Sequence, residues 1–315
     1  MLVQLFFPCH VGSVMKRVST HPMPRLAVLA LCAAGLRPDA ANATDWLHFS
    51  GDISVGANSI QDNAFMSRID AMLTFTLFDI ADSPVAFEFG TFGYYYKGDR
   101  PHETYAAFVY DDRFRLGVVK PAYDQVLISP FDFTAASIAE TRAEYTRARA
   151  TTEALRFNSV PVGVSYGETT GDMRWAVSLL DASDGNFRSA SAAAEWQAQA
   201  VTLAAAIEGV WDPKDDFDGI NAKIGARWQE GRLDIGAAFL HPDANQRPDA
   251  VAFDVNYNAW RALTLSGFGE VTRGSTTSAY GLAARYDFQD RSDVTFAVTD
   301  TKTDEEVHFT YTRRY

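Results

Sequence analysis

Cysteine is nearly absent. The two present, Cys9 and Cys32, both lie in the first 43 residues, so the rest of the chain can hold neither a disulfide framework nor a thiol nucleophile. Long apolar runs are missing too. The longest, LAVLALCAAGL at 26–36, falls well short of the roughly 20 residues a bilayer-spanning helix needs. Positive charge is scarce: 28 Lys and Arg stand against 40 Asp and Glu, a net charge of -12. Such a chain repels phosphate backbones, which argues against nucleic acid as a partner. No HExxH, Walker loop or dinucleotide fingerprint occurs, and His48, His102, His241 and His308 are scattered singly. A barrel phospholipase would need a His and a Ser on one outward strand face, whereas His48 and His308 follow the opposite parity.

What is present begins with a targeting segment. Lys16, Arg17 and Arg25 precede the apolar run, and Ala41-Asn42-Ala43 offers small residues for a signal peptidase. Residues 1–43 are therefore expected to be a secretory signal cleaved before Thr44, with residues 1–14 an upstream-start artefact if Met15 is the true start. Leu31 before Cys32 argues against lipidation. Residues 44–315 then keep 24 basic and 39 acidic side chains, a net charge of -15.

The remaining chain alternates. In VAFDVNYNAWRALTLSGFGEV, residues 251–271, Val251, Phe253, Val255 and Tyr257 oppose Ala252, Asp254, Asn256 and Asn258, the period of a strand whose faces differ in polarity. The same pattern recurs at LHFSGDISVGA, SRIDAMLTFTL, FDGINAKIGARW and YGLAARYDF. It places strands near 46–58, 65–78, 84–97, 102–110, 113–120, 151–168 (bent at Pro161), 172–182, 188–198, 199–210, 217–228, 231–240, 249–258, 260–271, 277–288, 291–300 and 305–315. Short connections (111–112, 229–230, 289–290) alternate with longer polar ones.

Strands of about ten residues, an even count, and short turns alternating with long loops predict an all-β fold, a transmembrane antiparallel β-barrel of 16 strands. The apolar face looks outward to lipid and the polar face lines the interior, while closure removes unpaired edges. Trp46, Tyr94 to Tyr96, Trp175, Trp211, Trp228 and Trp260 fall near strand ends, as interfacial girdles do. The acidic stretch DPKDDFDGIN (212–221) lacks the Glu that an EF-hand needs, and reads as an outer loop at which divalent cations could bridge to lipopolysaccharide. No other cofactor is expected.

The pattern breaks once. PAYDQVLISPFDFTAASIAETRAEYTRARA, residues 121–150, is a long gap between strands whose second half, 135–150, has helical composition with Glu140, Arg142, Glu144, Arg147 and Arg149 at helical spacing. A partly helical, acid-bearing loop after the fifth strand resembles the constriction loop of the trimeric Gram-negative porins. LGVVKPAYDQV (116–126) is similar to the strand-to-loop passage of the alphaproteobacterial members, and LRFNS (155–159) to their following strand. EVHFTYTRRY at 306–315 likewise resembles the C-terminal strand that the barrel assembly machinery recognises, with Arg313 at a usually apolar position.

The resemblance implies an outer-membrane homotrimer passing small hydrophilic solutes and ions, with the loop folded into the lumen. Its acids, here Asp124, Asp132, Glu140 and Glu144, would face a basic wall of Arg68, Arg113, Arg115 and Arg156. Loop arginines 142, 147 and 149 could instead pair with those acids. Asp52 sits where some relatives carry a basic residue. A sugar-specific channel, with Phe92, Tyr94 and Tyr96 as an aromatic slide, and a non-conducting interaction barrel are the alternatives. The alanine-rich stretch 191–209 offers a small-residue outer face to a neighbouring subunit.

Overall fold

The computed structural model describes residues 46–315, apart from 60–63, 81–82, 97, 99, 127–145, 158, 183, 185, 215, 275–277, 289–290 and 302–304 and the side chains of 156 and 157. The expected signal lies outside the described residues. Sixteen strands follow in order: β1 (Leu47–Asn58), β2 (Phe65–Ile80), β3 (Ser83–Tyr95), β4 (His102–Tyr110), β5 (Phe114–Val118), β6 (Pro161–Thr170), β7 (Met173–Ala182), β8 (Arg188–Ala198), β9 (Val201–Trp211), β10 (Phe217–Glu230), β11 (Leu233–Pro242), β12 (Ala250–Trp260), β13 (Leu263–Thr272), β14 (Ala279–Asp287), β15 (Ser292–Thr301) and β16 (Glu305–Arg314). Each pairs antiparallel with its sequence neighbours, and β1 meets β16, with Asp52 opposite Arg314 and Asn58 opposite His308. The sheet is a closed barrel, so no edge faces hydrocarbon unpaired along that seam.

The alternation sorts as the physics of a bilayer requires. On β12, Val251, Phe253, Val255 and Tyr257 are 41 to 49% exposed, whereas Ala252 and Asp254 are at most 1% exposed. On β16, Val307 and Phe309 face out while Glu306, His308 and Thr310 are buried inside. The turns explain how adjacent strands stay in register. Asp111 and Asp112 both have φ of 54°, the paired left-handed conformation whose twist matches a two-residue hairpin. The β10–β11 turn falls at Gly231-Arg232 rather than at 229–230, and Gly231 supplies a φ of 60°.

Five of the six tryptophans (Trp46, Trp175, Trp196, Trp228 and Trp260) sit at the rim of short turns, and Trp211 alone sits at the rim of long loops. Tyr94 and Tyr96 leave the expected girdle. They turn inward and are buried, while Tyr95 between them packs outward on Phe65.

One expected strand is corrected. Residues 151–157 belong to a helix, α1 (Arg149–Phe157), and β6 starts only at Pro161. Proline suits that position because the first residue of a strand can lack an N–H partner. The connection between β5 and β6 thus runs from Val119 to Val160, beyond the 121–150 read from sequence.

Candidate functional site in the barrel lumen

The β5–β6 connection leaves the wall after only five residues of β5 and starts with a 3-10 turn, Ala122–Gln125. That turn is held on the inner faces of β7 and β8. The N–H groups of Ala122 and Tyr123 donate to Ser178 Oγ at 3.0 Å and Ser191 Oγ at 3.1 Å, and the two hydroxyls bond each other at 2.7 Å. Tyr123 is fully buried against Val126, Ala148, Ala193 and Ala206. Only small wall residues leave room for a ring there. Burial first, then Glu208 and Asp124, push its phenol well above the ordinary value, so it stays a neutral platform. Lys223 Nζ lies 4.3 Å from the ring centre and donates to Thr146 O at 3.0 Å.

The returning end is fixed as tightly. Asp124 accepts the Ala148 N–H at 2.7 Å and the Thr151 hydroxyl at 2.5 Å, tying the start of the connection to its end. Glu208 Oε2 accepts the Arg149 N–H and Asn221 Nδ2, each at 2.7 Å. Asn245 Nδ2 donates to Arg147 O at 2.9 Å, and Arg149 to Ala244 O at 3.0 Å. Helix α1 carries an Arg149–Glu153 pair at 2.8 Å and lays Leu155 against Met66, Phe92, Tyr94, Tyr96 and Tyr105. Desolvation raises the Glu153 pKa, with Arg149 opposing. Both described ends of the connection therefore rest on inward-facing residues of the barrel.

The same architecture recurs among solved structures. Three mutant forms of the Rhodopseudomonas blastica porin superpose with TM-scores of 0.66, 0.66 and 0.64 at 17, 17 and 18% identity, each covering 85% of this chain and all of the other. The chain has the porin fold. No protein-family model and no curated protein matches its sequence. A general porin of the alphaproteobacterial type is the protein it resembles.

The expected acid-loop and basic-wall residues land differently from one another. Asp124 is 1% exposed and serves the loop anchor. Asp132, Glu140 and Glu144 lie outside the described residues. Arg68 faces the lumen of the porin fold but bonds Asp52 at 2.9 Å and Asp70 at 3.5 Å, with its guanidinium 5.6 Å from the Phe92 ring centre. Arg115 is gripped by both carboxylate oxygens of Glu88, at 3.0 and 3.2 Å. Arg113 is corrected: it sits in the turn before β5, half exposed at the short-turn rim, beside Asp111 and Glu168 at 3.4 Å each. Arg156 is also corrected, since its backbone is in α1 and not on a wall strand. The slide of Phe92, Tyr94 and Tyr96 is core packing beneath α1.

Other charged groups went unread in the sequence. Arg227 bridges Asp254 at 2.9 Å and Asp234 at 2.5 Å, and Arg314 joins Asp293 and Asp287. Their strand parity marked them as inward, but pairing across strands depends on register. The stretch GVSYG (Gly163–Gly167) has the spacing of a nucleophile elbow. It lies within β6, however, with Ser165 buried and its hydroxyl without a protein partner, and a strand interior lacks the sharp turn that exposes such a serine. Asp212 Oδ1 accepts the N–H groups of Lys214 at 2.8 Å and Asp216 at 3.0 Å. Among the described residues no three of His, Cys, Asp and Glu converge as a metal site requires.

Proposed function

We propose that this protein is an outer-membrane porin, a water-filled channel for passive diffusion of small hydrophilic solutes and ions, assembled as a homotrimer. The observation that carries the reading is the docking of both ends of the β5–β6 connection on the inner wall of a closed sixteen-strand barrel. A segment so anchored narrows the lumen without closing the wall, and charged side chains at such a waist select among ions. Asp132, Glu140 and Glu144 are the loop acids assigned to the waist, with Arg68 and Arg115 on the wall. Because both arginines are already neutralised by Asp52, Asp70 and Glu88, and the mature net charge is -15, the channel favours cations. Deleting residues 128–144, which leaves every anchor named above in place, is expected to raise single-channel conductance. Conductance equal to that of the intact chain would remove the loop from the pore.

A further inference from the structure

The outer wall is not uniformly convex. Across β6 to β9, close to the long-loop rim, lies a cavity of about 600 Å³ whose lining includes Val162, Val164, Leu179, Ala190 and Trp211. Its shape follows from side-chain size. Ala190 stands opposite Gly209 on the neighbouring strand, so the floor carries only a methyl and a hydrogen, while Leu179 and Trp211 stand up around it. Trp211 leans back over that floor: a Cβ on Gly209 would come within 3.0 Å of its ring. Leu179, 60% exposed, makes the opposite wall. At the mouth Arg188 is in register with both Trp211 and Asp181, and its Nε donates to Asp181 at 2.9 Å.

We propose that this groove binds an acyl chain of a phosphorylated, multiply acylated glycolipid of the leaflet at that rim, a lipopolysaccharide, with a headgroup phosphate on Arg188. Three features converge on it. The groove opens on the apolar face of the barrel, where the surrounding solvent is hydrocarbon. Trp211 is the one tryptophan at this rim, and indoles favour the level of the headgroups. Arg188 is a guanidinium, suited to phosphate by its fork of donors; its pair with Asp181 is more than half exposed on both sides, and such pairs are weak enough to be shared with a phosphate. Asp181 orients the guanidinium in the meantime. A second copy of the chain is the rival occupant, but it would bury Arg188 and Asp181 rather than leave them at a headgroup layer. The inference rests on the barrel lying in the outer membrane and not on whether it conducts.

The test uses the full mature protein refolded in detergent, mixed with purified lipopolysaccharide and analysed by native mass spectrometry. The wild type should retain about one lipid per chain. Ala190→Phe, which fills the floor, and Arg188→Gln should each cut retention about fivefold or more, Arg188→Lys should recover part of it, and Val298→Phe on the far wall should change nothing. Heat-modifiable gel migration establishes that each variant folds. The proposal is overturned if the wild type retains no lipid, if Ala190→Phe retains as much as the wild type, or if dephosphorylated lipopolysaccharide is held equally well. It is overturned equally if Ala190→Phe alters only the oligomeric state, which would assign the groove to a second copy. Single-channel conductance, measured on the same samples, separates failure of this inference from failure of the channel reading.

Discussion

Asp124→Ala should release the β5–β6 connection while leaving the barrel intact. The carboxylate accepts two hydrogen bonds, from the Ala148 N–H and the Thr151 hydroxyl, at a site 1% exposed. Hydrogen bonds to a charged group contribute about 1.5 to 3 kcal/mol each, and the deletion also strands a buried N–H. The loss on the docked state is therefore about 3 to 5 kcal/mol, a factor of roughly 100 or more in the docking equilibrium. Strand pairing is untouched, because none of these atoms belongs to the sheet. Limited trypsin digestion of the refolded protein reads the equilibrium directly, since Arg142, Arg147 and Arg149 lie in the connection and cleavage follows the open population when closing is fast. Cleavage should accelerate about 100-fold, with the barrel fragments still migrating as folded on an unheated gel. Asp124→Asn keeps an acceptor oxygen without the charge and should fall between. Wild-type cleavage rates in Asp124→Ala would falsify the assignment of this residue as an anchor.

Arg227→Met would leave Asp254, 1% exposed on its side chain, and Asp234 without their shared cation; a loss of about 3 to 5 kcal/mol should appear as a lower unfolding temperature in detergent, partly recovered by adding Asp254→Asn. Gly56→Val places a Cβ 2.2 Å from the Phe309 carbonyl oxygen at the seam between β1 and β16, and should abolish the compact species on unheated gels. Arg115→Ala frees Glu88, so the reversal potential in a salt gradient should move toward cations; an unchanged potential would place the pair outside the ion path. Lys223→Met removes the donor to Thr146 O and the cation over Tyr123, and should increase trypsin sensitivity less than Asp124→Ala does.

Strand positions were legible because a bilayer demands polarity of period two. β12 shows it cleanly, with Phe253 outside and Asp254 inside. The alternation fails as a guide wherever the chain leaves the sheet. Residues 151–157 contain β-branched Thr151 and Thr152 and an aromatic Phe157, which read as strand, yet they form α1 because Leu155 has an aromatic pocket to fill and Arg149 pairs with Glu153 one turn on. Asp124 looked like a pore acid because parity says nothing about a loop side chain; its burial is decided by the hydroxyl and N–H that happen to face it. The alanine-rich β8 and β9 carry small residues on both faces, with Ala190 opposite Gly209 on the outer one. Ser191, Ala193 and Ala206 are small on the inner face, where they admit the Tyr123 turn. Arginine pairing was illegible for a different reason: Arg68 meets Asp52 only through the β1–β2 register, which single-strand patterns do not contain.

Conduction by this barrel is tested most directly by single-channel recording of the refolded chain, residues 44–315, in a planar lipid bilayer. Discrete ohmic current steps, closing in groups of three and carried mainly by cations, are the expected result. A protein that migrates as a folded barrel yet stays electrically silent in the bilayer would contradict the account.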